Sequence, residues 1–134
     1  MTPNDKLQMS HEIADIAAAI VTAMADPNVI WPPEQSTDGQ NANVQLSNLS
    51  RSIANSAALD ALDAAAPDFA KMTQATADAK SALARIQSDA AKINAVLSIA
   101  AKAITFATQL AAGGPVLATI LSAGNSLSAT SKAA

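Results

Sequence analysis

From Ser98 to Gly124 the chain reads SIAAKAITFATQLAAGGPVLATILSAG, with Lys102 as its one charge. A stretch this long and this apolar has to be hidden from water: inside a helical bundle, in a lipid bilayer, or against a second copy of the protein. The Gly-Gly-Pro in its middle restricts how. Glycines end a helix well and proline is accepted at the start of the next, so Gly113, Gly114 and Pro115 predict a turn. The run therefore predicts a helical hairpin over about 93–128. Ile99, Ile104, Phe106 and Leu110 on its first arm, with Val116, Leu117, Ile120 and Leu121 on its second, are the candidate membrane or partner contacts.

The remainder of the chain points to an all-α fold. Its 134 residues suffice for one domain, and 34 Ala against three aromatic residues supply side chains that favour helix and let helices approach closely. A single bundle of about four helices is expected. In the first, Ser10 is placed to cap a helix running to Ala25, with Ile13, Ile16, Ala17, Ile20, Val21 and Met24 on one face and His11, Glu12, Asp15 and Thr22 opposite. Residues 26–43 hold three of the six prolines and read as an irregular loop. Within it Val29-Ile30-Trp31 either clamps the loop to the bundle or offers Trp31 to a partner or a membrane. A second helix is expected from Asn43 to Ala65, with Leu46, Leu49 and Ile53 on one stripe and Leu59 and Leu62 nearly opposite; Pro67 then restarts the helical pattern.

Positions 69, 72, 76, 79, 83, 86, 90, 93, 97, 100, 104, 107 and 111 follow at alternating steps of three and four, and all but Thr76 are apolar. Sustained spacing of this kind describes a coiled-coil-like seam on one long helix. Unbroken from Pro67 to Ala112, that helix would be about 70 Å long at 1.5 Å per residue. The alternative is a kink near Ser88 to Asn94 that closes a compact bundle. Up to Lys92 the other faces are charged. Beyond Asn94 they carry Val96, Ile99, Phe106 and Leu110, which reads as apolar nearly all round.

The sequence offers little chemistry. A net charge of −3 with 8 Lys and Arg leaves no basic stripe for phosphate, so nucleic acid is not an expected partner. HEIAD at His11 to Asp15 lacks the second histidine of a zinc-protease helix, and the chain has no other histidine and no cysteine. Asp60, Asp63 and Asp68 are read as solvated acids near a helix boundary. No cofactor, metal, small-molecule substrate or enzymatic activity is expected. Asp5, Glu12 and Asp15 ahead of the small-residue stretch at Ala25 argue against a signal peptide. A soluble protein is expected, either cytoplasmic or secreted by another route.

The apolar run from Ile93 to Ala112 is long enough to span a bilayer, but Lys102 near its middle costs about 2.5–3.5 kcal/mol there, which disfavours a constitutive integral protein. The layout, a long heptad helix leading into an apolar hairpin between about Phe69 and Leu127, resembles the α-helical pore-forming toxins of the cytolysin A and haemolysin BL type. The resemblance implies a bacterial membrane-active protein or toxin component whose hairpin is stored against a soluble bundle, meets membrane lipid and then oligomerises with itself or a second component. The other reading is a soluble bundle that binds itself or another protein, with the hairpin as packed core.

Overall fold

Thr2, rather than Ser10, caps the first helix. Its hydroxyl accepts the Asp5 N–H at 3.1 Å while the Asp5 carboxylate accepts the Thr2 N–H at 3.0 Å, a reciprocal box completed by Pro3 in the first turn. Ser10 is buried in the middle of the helix. The computed structural model describes the backbone of residues 1–61, 66–86, 93–112 and 117–134. Among these residues there are five α-helices, α1 (Pro3–Met24), α2 (Pro33–Ala54), α3 (Ala66–Ile86), α4 (Ile93–Ala111) and α5 (Leu117–Ala133), one 3-10 turn (Ala57–Ala61) after α2, and no strand.

Most of the expected loop at 26–43 is helix. Pro33 stands in the first turn of α2, where a missing N–H costs nothing, so the prolines start a helix. Gly39 is accommodated in α2 because Met24 and Trp31 lie against it: a Cβ there would stand 2.6 Å from Met24 Sδ and 3.4 Å from Trp31 Cζ3. The irregular connection is left with residues 25–32. The second helix also ends early, at Ala54. Its contradictory faces resolve because Leu46 and Ile53 are buried from α2, whereas Leu59 is buried from the 3-10 turn. Leu62 lies outside the described residues.

The long heptad helix is two helices. A Cβ on Gly124 of α5 would lie 3.2 Å from Phe106 of α4 and 3.7 Å from Ala75 of α3. On one straight helix Ala75 and Phe106 would be about 46 Å apart, so the chain folds back between α3 and α4. On α3 the predicted seam is genuine, with Met72, Thr76, Ala79 and Leu83 buried. On α4 it is displaced: the buried positions are Val96, Ile99, Ala100, Ala103, Phe106, Ala107 and Leu110. Abundant alanine allowed the three-four spacing to run on past the point where the core-facing stripe rotates.

The helices alternate in direction. α1 packs on α2 and α3, α2 on α4, α4 on α5 and α5 on α3, closing a ring into which α4 also reaches far enough to touch α1 and α3. One end is tied by long-range polar contacts. The Met1 amino group donates to the Leu59 carbonyl at 3.0 Å, Lys6 pairs with Asp60 at 2.7 Å, and the Ser56 hydroxyl donates to the Ala111 carbonyl at 3.3 Å. The connection carrying Trp31 occupies the opposite end.

Candidate interaction surfaces

The apolar arm from 93 to 111 is amphipathic, contrary to the expectation of an apolar circumference. Asn94, Ser98, Lys102, Thr105 and Thr108 are exposed along one side, while Ile99, Phe106 and Leu110 are fully buried on the other. The hydroxyls of Thr105 and Thr108 donate back to the carbonyls of Ala101 and Ile104 at 3.1 and 2.7 Å, so these two groups are satisfied within the helix. Of the remaining candidate contacts, Ile104 and Leu121 are half-buried and Ile120 is fully buried. Leu117 opens α5, but its side chain, together with Val116 and the predicted turn Gly113, Gly114 and Pro115, lies outside the described residues. Among the described residues α4 is the one helix long and apolar enough to cross a membrane. Its apolar side is already engaged by protein.

Two open grooves flank α4. One, of about 370 Å³, sets Asp38, Asn41 and Gln45 of α2 against Leu97 and Ile104; the other, of about 430 Å³, sets Thr105 and Gln109 against Thr119, Ser122 and Ser126 of α5. Neither brings together groups suited to catalysis. Among the described residues no three His, Asp or Glu side chains converge on a point that could hold a metal ion.

Trp31 is half-buried against Met24 and the Gly39 backbone, and its indole N–H is buried without an acceptor among the described residues. An Asp26 turn shapes the connection: the Asn28 N–H donates to the Asp26 carboxylate at 2.9 Å and the Val29 N–H to the Asp26 carbonyl at 3.1 Å. Val29 turns inward and Ile30 outward, the latter 88% exposed. The triplet thus does two things at once, clamping the connection with Val29 and Trp31 and presenting Ile30.

Ile30 has company. The large apolar side chains left exposed among the described residues are Leu7, Val21, Ile30 and Val44, and all four belong to α1, α2 or the connection between them. Val21 was the member of the predicted α1 core stripe that faces outward; it is 46% exposed. On α1 it continues a second, outward stripe, Leu7, His11, Ala14, Ala18, Val21 and Ala25, at steps of four, three, four, three and four. That stripe was legible in the sequence. It was obscured because Ile13, Ile16 and Ile20 make a stronger stripe on the same helix.

Two polar clusters tie α3 to its neighbours. Glu12 of α1 accepts the hydroxyl of the fully buried Thr76 at 3.0 Å and pairs with Lys80 at 2.8 Å, with Asp15 at 3.4 Å from the same ammonium. The Glu12 hydrogen bond raises Lys80 above 10.5, against the opposing effect of burial. Asp78 of α3 accepts from Ser128 of α5 and from Gln74, with Lys132 of α5 at 3.9 Å. Burial pushes the Asp78 carboxyl up, but the hydrogen bonds from Ser128 and Gln74 and the charges of Lys132 and Arg85 together hold it below 3.8. A depressed carboxylate contributes stability that is complete above its unfolded value and is lost as pH falls through the folded one. Asp78→Asn is therefore expected to lower stability by about 1–3 kcal/mol at neutral pH. In urea titrations the gap between wild type and variant closes only below pH 3.8; an unchanged gap in acid would contradict the assignment.

No protein-family model, curated protein or solved structure matches this chain.

Proposed function

We propose that the protein is a helical interaction module that binds protein through the outer face of α1 and α2, with the α4–α5 hairpin serving as packed core. The observation that carries this reading is the confinement of the exposed large apolar side chains, Leu7, Val21, Ile30 and Val44, to that one hairpin of α1 and α2. Large apolar side chains left in water on one pair of neighbouring helices and their connection are where an interaction surface is sought first. The test is dye release from phosphatidylcholine and mixed phosphatidylcholine–phosphatidylglycerol vesicles, with Trp31 emission followed in the same titration. The interaction reading predicts no release and unshifted emission.

The second reading is that of a membrane-active protein, of the pore-forming toxin kind, whose hairpin leaves the bundle on lipid contact. It is favoured by the length and apolarity of α4 and by the narrow polar attachment of α5, whose one described ion pair is between Lys132 and Asp78. Concentration-dependent leakage, altered by Lys102→Glu at unchanged folding stability, would establish it in place of the first.

A further inference from the structure

We propose that Met24 is a redox-sensitive latch: oxidation of its thioether to the sulfoxide by hydrogen peroxide releases Trp31 from α2 and uncovers it beside Ile30. The chain has four methionines, and three are shut away from water, Met1 at 8% exposure, Met9 at 0% and Met72 at 1%. Met24 is half-buried at the last position of α1, where the helix gives way to the connection. Its sulfur fills the space that a side chain on Gly39 would need, since a Cβ there would stand 2.6 Å from Sδ and 3.1 Å from Cε. Trp31 Cζ3 lies 3.4 Å from the same point, so thioether and indole meet over the glycine. Thioethers and aromatic rings attract one another in such contacts.

Packing, rather than hydrogen bonding, holds the ring: its indole N–H is buried without an acceptor among the described residues. The hydrogen bonds from Asn28 and Val29 to Asp26 stay within the connection and do not tie it to α2. In the oxidation the sulfur lone pair attacks one peroxide oxygen and the O–O bond breaks as the S–O bond forms. The departing hydroxide takes the proton left on the transferred oxygen and becomes water, so the sulfur gives up two electrons and the peroxide accepts them. The product is a polar, chiral group in place of a flexible apolar one. On the Gly39 side the sulfur already stands closer than a Cβ would tolerate, so the new oxygen has to turn toward water or toward the indole, and the apolar contact with Trp31 is lost. A sulfoxide reductase with a dithiol as reductant reverses the step, which makes it a switch. The latch does not depend on which partner takes the α1–α2 face; it changes that face by adding Trp31 to Ile30.

Peroxide titration of the full chain, read by peptide mass spectrometry and by the emission of Trp31, its one tryptophan, tests the proposal. Met24 is expected to gain an oxygen on the order of tenfold faster than Met9 and Met72, whose thioethers react only when the bundle opens. Emission shifts to longer wavelength in step with that gain, at unchanged helical circular dichroism, and returns when a sulfoxide reductase and dithiothreitol are added. Met24→Leu, which keeps an apolar side chain of similar volume, is expected to hold the unoxidised emission through the same titration. Met24→Gln places a polar group at the latch without oxidant and is expected to start from the shifted emission. Oxidation of Met9 or Met72 as fast as Met24 would overturn the modification site. Oxidised Met24 with unshifted or blue-shifted emission would show the ring still held and overturn the release, as would a full shift in Met24→Leu.

Discussion

Phe106→Ala is expected to lower stability by about 3–5 kcal/mol, the usual range for removing a buried aromatic side chain and leaving its cavity. Phe106 is the largest of the fully buried side chains among the described residues, and it stands where α4 meets α5 and α3: a Cβ on Gly124 would lie 3.2 Å from its ring and 3.7 Å from Ala75. The α3 residue at this junction is Ala75, whose methyl group has no rotamers with which to reach inward. Relaxation is correspondingly limited. A domain stable by about 5–15 kcal/mol would lose a large fraction of its margin. Urea denaturation should show a lower midpoint at unchanged slope; a loss below about 1 kcal/mol would show that α4 does not form this core.

Gly124→Val probes the same junction from the other side. A Cβ alone would stand 3.2 Å from Phe106 Cε1, tight enough that the ring must give, and valine adds two methyl groups beyond that Cβ. The ring is fully buried, so overpacking is expected to cost about 1–3 kcal/mol. Gly124→Ala separates the two contributions: its better helix propensity, worth up to about 1 kcal/mol, opposes a contact short by only a few tenths of an ångström. Thermal denaturation of the pair should therefore place alanine close to wild type and valine well below it. Equal stability for both variants would mean that α5 does not press on Phe106.

The sequence showed the helical class because alanine and period-3.6 apolar spacing act locally. It also showed the inward side of α1, where Ile13, Ile16 and Ile20 are all fully buried, and the core positions of α3. What it did not show depended on context beyond the local pattern. Pro33 would break a helix in its interior but starts one in its first turn, and only the position of the preceding turn distinguishes the two. Beyond Asn94 the heptad count could not tell a chance three-four spacing of small residues from a true seam, because alanine fits both the core and the surface. The bulky residues Val96, Ile99, Phe106 and Leu110 identify the buried side once they are weighted above the alanines. The outward apolar stripe of α1 was visible as residues but not as a surface, since Val21 is next in sequence to the fully buried Ile20 of the core stripe.

Hydrogen exchange along α4, measured with and without phospholipid vesicles, tests most directly whether that helix is a permanent core. The account predicts that the amides of Val96 to Leu110 exchange among the slowest in the molecule and that vesicles leave their protection unchanged. Loss of protection in α4 and α5 on adding vesicles, with α1 and α2 unaffected, would contradict it and make the hairpin a stored membrane element.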